Sequence, residues 1–259
     1  MFRLIPLDVF RILLSVAILG YASWVDLKTR EIYDLVWIVS GAAGLLLGLY
    51  EVYLGEMTMI GLAFPLLFSA ALSVLLGRVG LFGGADVWAF ITLSIIHPSR
   101  PGYPWPLLGI VSVIYPLSIF SNSAIAGASF ALVLLARNIG TMLAGKPLFE
   151  GISSDSSWRK LVVMFTGVKV RLDSVRGPPF QYPLECPQGE GGGARRLILM
   201  PDINDDDAAR EIFRRLEEGS VEEAWVSNTL PFLVFIAIGY ILTVLLGDIA
   251  LYLLSGLLL

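Results

Sequence analysis

The chain is poor in charge, cysteine and histidine, and each shortage excludes a class of protein. Only 15% of its 259 residues are charged, against about a quarter in soluble domains. The single cysteine, Cys186, cannot form an internal disulfide or a cysteine-rich zinc site. We expect the single histidine, His97, which precedes a proline, to be a loop residue rather than a member of a hydrolase triad. The net charge of −4 disfavours a nucleic-acid partner, because a phosphate binder needs a basic surface.

Long apolar runs are what the chain has in abundance, and 56% of its residues are hydrophobic. A helix needs about 20 apolar residues to cross a bilayer. Six runs predict transmembrane spans: 7–25, 35–52, 57–76, 86–96, 117–139 and 230–254. The fourth run is short for a span. We interpret the first run as a retained span rather than a cleaved signal peptide. Residues 98–116 carry five prolines and predict an apolar loop folded back onto the helices.

These runs predict an all-α polytopic membrane protein of about six transmembrane helices, with a soluble insert before the last helix. We divide it into a membrane core of five spans at 1–139, a polar domain at 140–228 and a last span at 229–259. Within the polar domain, 205–218 predicts a helix, 195–200 a strand, and 158–170 a short helix or a strand pair. The domain is therefore helical or mixed α+β.

The distribution of basic residues predicts the orientation in the membrane. Fifteen of the 18 Lys and Arg residues fall in 26–34, 77–85 and 137–228, which alternate with the other loops. Loops rich in Lys and Arg stay in the cytoplasm. We therefore expect these three segments on the cytoplasmic face and both termini outside.

Two aspartates stand out because ionisable groups are costly in apolar segments. Asp26 closes the first span and Asp86 opens the fourth, so both fall at the predicted cytoplasmic end. Two carboxylates in one site share a proton, so that one can activate a water while the other donates. We expect Gly83 and Gly84, just before Asp86, to adopt dihedrals closed to other residues and to admit a substrate strand. Simpler roles stay open: a helix cap for Asp86 and the end of a span for Asp26.

Around these aspartates the sequence resembles a known family of membrane proteases. The segment Asp26-Leu-Lys-Thr-Arg-Glu-Ile32 is similar to the first aspartate motif of the type IV prepilin peptidases, and Gly83-Gly-Ala-Asp86 to the second. These are GxGD membrane aspartic proteases, and Ala85 stands where the strict motif has its second glycine. Within that family, the overall pattern of the sequence is most similar to the archaeal preflagellin and prepilin peptidases.

The resemblance implies removal of a short basic leader from preflagellins (archaellins) or type IV pilin-like precursors at the cytoplasmic face. It assigns catalysis to Asp26 and Asp86, without metal or cofactor, and motif support to Gly83, Gly84, Ala85, Lys28 and Arg30. We expect acidic residues to attract the basic leader, and the candidates are Glu31, Asp34 and the run Asp205–Asp207. A solvated acidic face is the alternative for these groups, and topology anchors the alternative for Lys28 and Arg30.

Three alternatives accompany this hypothesis. Asp34, at the start of the second span, is the rival to Asp26, or else caps that helix. A proton- or cation-coupled transporter would also place aspartates in the membrane, and it predicts broken helices. A non-catalytic anchoring protein would use the polar domain and leave the aspartates unexplained.

We expect Asn122 and Ser123, in the fifth span, to face the interior of the bundle.

Overall fold

The computed structural model describes residues 5–152, 154–189, 194–203, 205–227 and 231–258. The chain forms two compact units, residues 1–127 with 230–259 and residues 128–229. The change of unit falls at 127–128, inside a long helix, while the boundary predicted at 228–229 lies outside the described residues. The chain is mostly helical, with 64% helix and a small sheet-containing polar region.

The first unit is built from apolar helices. Among the residues that the structure describes, four helices are long and apolar enough to cross a membrane, and a bent pair near the end of the chain counts as a fifth span if it is taken as one. The long helices are α1 (Ile5–Thr29), α2 (Asp34–Tyr53), α3 (Met59–Arg78) and α5 (Tyr115–Leu143), the short one is α4 (Gly84–Ile96), and the bent pair is α8 (Phe232–Leu245) with α9 (Ile249–Leu258). Four of the predicted spans are thus found as long helices, and the other two runs form a short helix and a bent pair, so the count of about six is not confirmed.

The last apolar run is broken, whereas the sequence predicts one continuous span over 230–254. Helices α8 and α9 meet at an angle of 60°. Gly247 adopts φ +99°, which favours glycine, and the side chain of Asp248 accepts a hydrogen bond from Leu251 N at 3.0 Å, so Asp248 caps α9. Asn122 donates to Gly247 O at 2.7 Å and accepts from Ile249 N at 3.1 Å. Polar partners therefore satisfy the backbone at the break, as an apolar environment requires.

The proline-rich segment before α5 is a loop, as predicted, and it lies against this break. The backbone N–H groups of Leu107 and Leu108 donate to Leu245 O and Leu246 O, both at 2.9 Å. Asp248 N in turn donates to Ile110 O at 2.8 Å. The loop therefore supplies backbone partners that a continuous helix would have supplied itself.

Small residues bring the helices of this unit close together. A Cβ at Gly239 of α8 would lie 2.4 Å from Ser123 N of α5, and one at Gly44 of α2 would lie 3.0 Å from Ile96 N of α4. Close backbone approach of this kind is the main source of helix association in lipid. Asn122 and Ser123 are both fully buried, which confirms the prediction that they face the interior.

The second unit carries short helices and two small antiparallel sheets. Its helices are α6 (Ser157–Thr166) and α7 (Asp206–Glu218), and its strands are β1 (Gly167–Arg171), β2 (Glu185–Pro187), β3 (Arg195–Leu197) and β4 (Glu223–Ser227). Strand β1 pairs with β4, and β2 pairs with β3. The predicted helix over 205–218 and the strand within 195–200 are confirmed, and 158–170 is a helix followed by a strand.

A buried ion pair connects the strands of this unit. Arg195 donates to Oε1 of Glu185 at 2.6 Å, and also to the carbonyls of Glu150 at 2.5 Å and Glu223 at 3.2 Å. The Glu185 side chain is fully buried. Burial raises the pKa of Glu185 above its ordinary value, and the charge of Arg195 opposes that rise.

Candidate active site

The two singled-out aspartates lie at matching ends of two helices. Asp26 is in the last turn of α1 and is half-buried. Asp86 is in the first turn of α4 and is only 7% exposed. Helix α4 packs against α1, α2, α3 and α8, so the buried carboxylate of Asp86 is surrounded by other helices of the first unit.

The backbone before α4 holds the Asp86 carboxylate. Gly83 is the N-cap of the helix, and its N–H donates to Oδ2 of Asp86 at 2.9 Å. A carboxylate in the first helical turn is also favoured by the helix dipole. Asp86 therefore takes part in the cap of α4 through Oδ2, and its Oδ1 is left for other chemistry.

The two glycines before Asp86 serve a different purpose from the one expected. Gly83 has φ −75° and Gly84 is helical, so the expectation of dihedrals closed to other residues is wrong. A Cβ at Gly83 would lie 3.4 Å from Oδ2 of Asp86, and a Cβ at Gly84 would meet nothing within 4 Å. Both glycines are exposed, while Ala85 is half-buried against the core. The two exposed positions before Ala85 therefore present no side chain, which leaves room for an extended peptide to approach.

Folding brings the aspartates, which are 60 residues apart in the chain, into electrostatic range of each other. The charge of Asp26 acts on Asp86, and the charge of Arg30 acts on both. Helices α1 and α4 are in direct contact. Two carboxylates and one guanidinium therefore form a charged cluster at this end of the helices.

Arg30 reaches this cluster through an unusual backbone conformation. It has φ +61°, a left-handed value that is uncommon for residues other than glycine. Its N–H donates to Asp26 O at 3.1 Å, and the Thr29 hydroxyl donates to Val25 O at 3.0 Å. These bonds close the last turn of α1, which ends at Thr29, and Arg30 follows it in the manner of a left-handed helix C-cap. The tight stop keeps Arg30 beside the last turn of α1.

We predict that Arg30→Gly separates the two contributions of this residue. Glycine adopts the left-handed conformation without strain, so the variant should be as stable as the wild type or more stable by about 1 kcal/mol. A cation near a carboxylate stabilises its ionised form, so the leader cleavage that the family resemblance implies should slow roughly tenfold, equivalent to about 1.4 kcal/mol. Thermal unfolding in detergent and kcat/KM for that reaction measure the two effects.

The control for this prediction is Lys28, a second cation in the last turn of α1. Its ammonium group is exposed and lies 4.2 Å from the centre of the Trp24 ring. Lys28→Ala should keep activity within about twofold, as expected for an exposed charge. Arg30→Lys, which retains the charge, should also remain active. Equal losses in Lys28→Ala and Arg30→Gly would contradict a specific role for Arg30.

The other predicted site residues of the connection lie on its surface. Glu31 and Asp34 are exposed, and Asp34 is in the first turn of α2. The N-cap of α2 is Tyr33, without a side-chain hydrogen bond, so the expectation that Asp34 caps this helix is wrong. The two acids remain candidates for contact with a basic peptide.

The acidic run of the second unit is occupied by local interactions. Asp205 accepts from Ala208 N at 2.9 Å and caps α7, while Asp206 accepts from the Tyr182 hydroxyl at 2.8 Å. Asp207 pairs with Arg210 at 2.8 Å. These contacts favour the structural alternative for this run. In the described part of the chain, no group of three or more His, Cys, Asp or Glu side chains is arranged to hold a metal ion.

Sequence reasoning missed several buried polar groups in the apolar helices. His97, expected in a loop, is fully buried and lies 3.1 Å from Ser15 Oγ and 2.9 Å from Tyr240 Oη. A second group, each member at most 7% exposed, consists of Asp8, Arg11, Glu51 and Asp248. These four charged residues could have been singled out from the sequence, because each interrupts or borders an apolar run, where a charge is costly. The signal for His97 was absent, because its partners come from distant helices.

Comparison with known proteins adds an independent observation. A family model described as the type IV leader peptidase family matches residues 13–141, and one described as the archaeal peptidase A24 C-terminus, type II, matches residues 159–249. A preflagellin peptidase of Methanococcus voltae is 25% identical over 249 residues, covering 90% of this chain and 94% of that protein. Preflagellin peptidases of Methanocaldococcus jannaschii and Methanococcus maripaludis are 24% and 23% identical, each covering 88% of this chain.

The two family models follow each other along the chain with little between them. The first includes both aspartates and helices α2 to α4, and the second begins in α6 and ends at the start of α9. The family resemblance drawn from the aspartate motifs is thereby confirmed, as is the character of a multi-pass membrane peptidase. The chain belongs to the type IV leader peptidase family, in the form that carries the archaeal A24 C-terminal part.

Proposed function

We propose that this peptidase is an aspartic endopeptidase that removes the short basic leader from preflagellins or type IV pilin-like precursors. The observation that carries the proposal is the charged cluster of Asp26, Asp86 and Arg30, built from two helix ends and bordered by exposed glycines. Relatives that match nearly the whole chain are named preflagellin peptidases.

The reaction needs two carboxyl groups with different protonation. One ionised carboxylate accepts a proton from a water molecule, whose oxygen attacks the scissile carbonyl carbon. The second carboxyl, protonated at the start, donates its proton to the developing oxyanion, and the leaving amine is then protonated by the first. Like charges in one site oppose double ionisation, and the neighbouring Arg30 opposes double protonation, so the singly protonated pair is the state in which we propose that the reaction starts.

The exposed acids of the α1–α2 connection provide a contact for the leader. Glu31 and Asp34 flank the same connection that holds Arg30, so an approaching basic segment meets negative charge close to the scissile bond. The precursor's own apolar helix would remain in the membrane. Cleavage between the basic leader and that helix then requires an active site at the membrane surface.

We further propose six spans and a cytoplasmic active site. The count of six takes the 13-residue helix α4 as a short span and the bent pair α8–α9 as one. The concentration of 15 of 18 basic residues in the segments 26–34, 77–85 and 137–228 supports a cytoplasmic position for the ends that carry Asp26 and Asp86. With an even number of spans both termini lie outside.

The break between α8 and α9 is the feature that the transporter hypothesis also predicts. At this break the Asp248 oxygens accept hydrogen bonds from Ser118 at 2.8 Å and from Ser121 at 3.1 Å, in addition to the α9 backbone. The carboxylate therefore already has protein donors at both oxygens. A structural cap accounts for it, and the peptidase proposal stands without an ion path.

The test is cleavage of a synthetic peptide that contains a basic leader followed by the first residues of an apolar segment. Inverted membrane vesicles, whose outer surface is the cytoplasmic face, should cleave added peptide at the leader boundary, as identified by product mass. Right-side-out vesicles should do so only after permeabilisation. Cleavage confined to intact right-side-out vesicles would reverse the orientation, and no cleavage in detergent would reject the peptidase proposal for these substrates.

A further inference from the structure

A hydrogen-bonded cluster lies at the end of α4 opposite Asp86. Nε2 of His97 lies 3.1 Å from Ser15 Oγ of α1 and 2.9 Å from Tyr240 Oη of α8. All three residues are at most 1% exposed. The cluster therefore ties α1, α4 and α8 together by polar contacts among the apolar helices of the first unit.

The distance from this cluster to the aspartates is the same along both helices. Ser15 precedes Asp26 by eleven residues, and Asp86 precedes His97 by eleven residues. Eleven residues are about three helical turns, so the two positions on each helix share a face and are separated by about 16 Å. Since Ser15 meets His97 at one end and Asp26 lies within electrostatic range of Asp86 at the other, the two helices run antiparallel.

The residues between the two contacts repeat this symmetry. Leu19 and Ala22 on α1, and Phe90 and Leu93 on α4, are all nearly fully buried in one cluster. Their spacing from Ser15 to Asp26 is 4, 3, 4, and the spacing from Asp86 to His97 is likewise 4, 3, 4. Apolar contacts alone allow two helices to slide, because lipid and side chain are equally apolar. A slide of α1 along α4 would break the buried contact between Ser15 and His97, which is costly.

We propose that His97, held by Ser15 and Tyr240, is a positioning residue that sets the register of α1 against α4 and thereby places Asp26 opposite Asp86. This inference rests on the proposed function for its catalytic consequence, but the register itself is independent of any activity. His97 acts from about three turns away and touches neither aspartate.

The register is tested by cross-linking, with no need for activity. In a Cys186→Ser background, which removes the single cysteine, cysteines replace Asp26 and Asp86, and a short thiol-specific cross-linker is added to membranes. The pair should cross-link rapidly when His97 is present and at least about fivefold more slowly in His97→Leu. His97→Gln, which keeps a hydrogen-bonding group near the Nε2 position, should restore the rate. An unchanged rate in His97→Leu would overturn the proposal.

The catalytic consequence is tested in the chain with both aspartates intact. His97→Leu should lower kcat for leader cleavage at least tenfold with KM changed less than about threefold, since a displacement of 1 Å can cost about a hundredfold. The matched control is Asn122→Leu, which also removes buried hydrogen bonds but between α5 and the α8–α9 break. It should keep the cross-linking rate and most of kcat. Equal loss in both variants would show general destabilisation and overturn a specific positioning role.

These two readouts separate failure of the inference from failure of the proposed function. If neither aspartate is needed for cleavage, the proposed mechanism fails, yet the cross-linking result still decides the register. If cross-linking depends on His97 and kcat does not, the catalytic role of His97 is rejected while the peptidase proposal stands.

Discussion

Asp86→Asn should abolish leader cleavage while the protein stays folded and inserted. Asparagine matches aspartate in shape, and its side-chain oxygen can still accept the hydrogen bond from Gly83 N, so the start of α4 is preserved. The amide cannot exchange a proton with water or with the substrate. Loss of a general acid or base lowers rates by roughly 10²–10⁴-fold, so we expect at least a thousandfold drop in single-turnover rate. Asp26→Asn should produce a loss of the same size.

The control for this prediction is Asp34→Asn, which changes an exposed carboxylate in the first turn of α2. It should retain activity within about threefold if Asp34 only attracts the leader. Combining Asp26→Asn with Asp86→Asn should cost little more than either change alone, because the two groups act as a unit. Full activity in Asp86→Asn rejects the mechanism, and an inactive Asp34→Asn beside an active Asp26→Asn would transfer the role to Asp34.

Arg195→Leu should strongly destabilise the second unit. The substitution leaves the fully buried Glu185 without its cation and removes donors from the carbonyls of Glu150 and Glu223. Breaking a buried pair by removing one partner costs about 3–5 kcal/mol, which is a large share of the 5–15 kcal/mol typical of a domain. Hydrogen exchange of the β1–β4 backbone amides, followed by mass spectrometry, measures the loss.

The destabilisation should depend on pH. Burial raises the pKa of Glu185, and Arg195 opposes the rise, so the pKa in the folded variant should be higher still. Below the ordinary value of 4.5, Glu185 is protonated in both the folded and the unfolded state, and this part of the penalty vanishes. As the pH rises through the folded pKa, the penalty reaches its full size. The stability difference between wild type and variant should therefore be smaller at pH 4.5 than at pH 7.5.

Two further variants test whether the loss of stability is specific to the buried Arg195–Glu185 pair or follows from the loss of any arginine charge. The double change Arg195→Leu with Glu185→Leu removes both buried charges and should recover much of the lost stability. Arg171→Leu breaks an exposed pair with Asp173 and should change the free energy of unfolding by less than about 1 kcal/mol. Arg195→Leu with wild-type exchange rates at pH 7.5 would contradict the prediction.

The sequence by itself determined the features that depend on local pattern. Long apolar runs identify α1, α2, α3 and α5. In lipid, unpaired backbone N–H and C=O groups are costly, and a helix pairs them all within one segment. Helix α7 lies within the segment 205–218 that the sequence predicts as a helix. The two aspartates were identifiable because a carboxylate beside an apolar run needs a reason, and their motifs led to the family.

Only the tertiary structure decided the features that depend on residues far apart in the chain. The break between α8 and α9 exists because Asn122, more than 120 residues earlier, satisfies the backbone there. His97 is buried because Ser15 and Tyr240 meet it from other helices, and no local signal marks such partners. The Asp26–Asp86 cluster likewise depends on how α1 and α4 register. Local composition identifies the helices and the charged residues that are unusual in apolar segments. Which of these charges become neighbours is decided by packing, because the energy of a contact depends on both residues and cannot be derived from either segment alone.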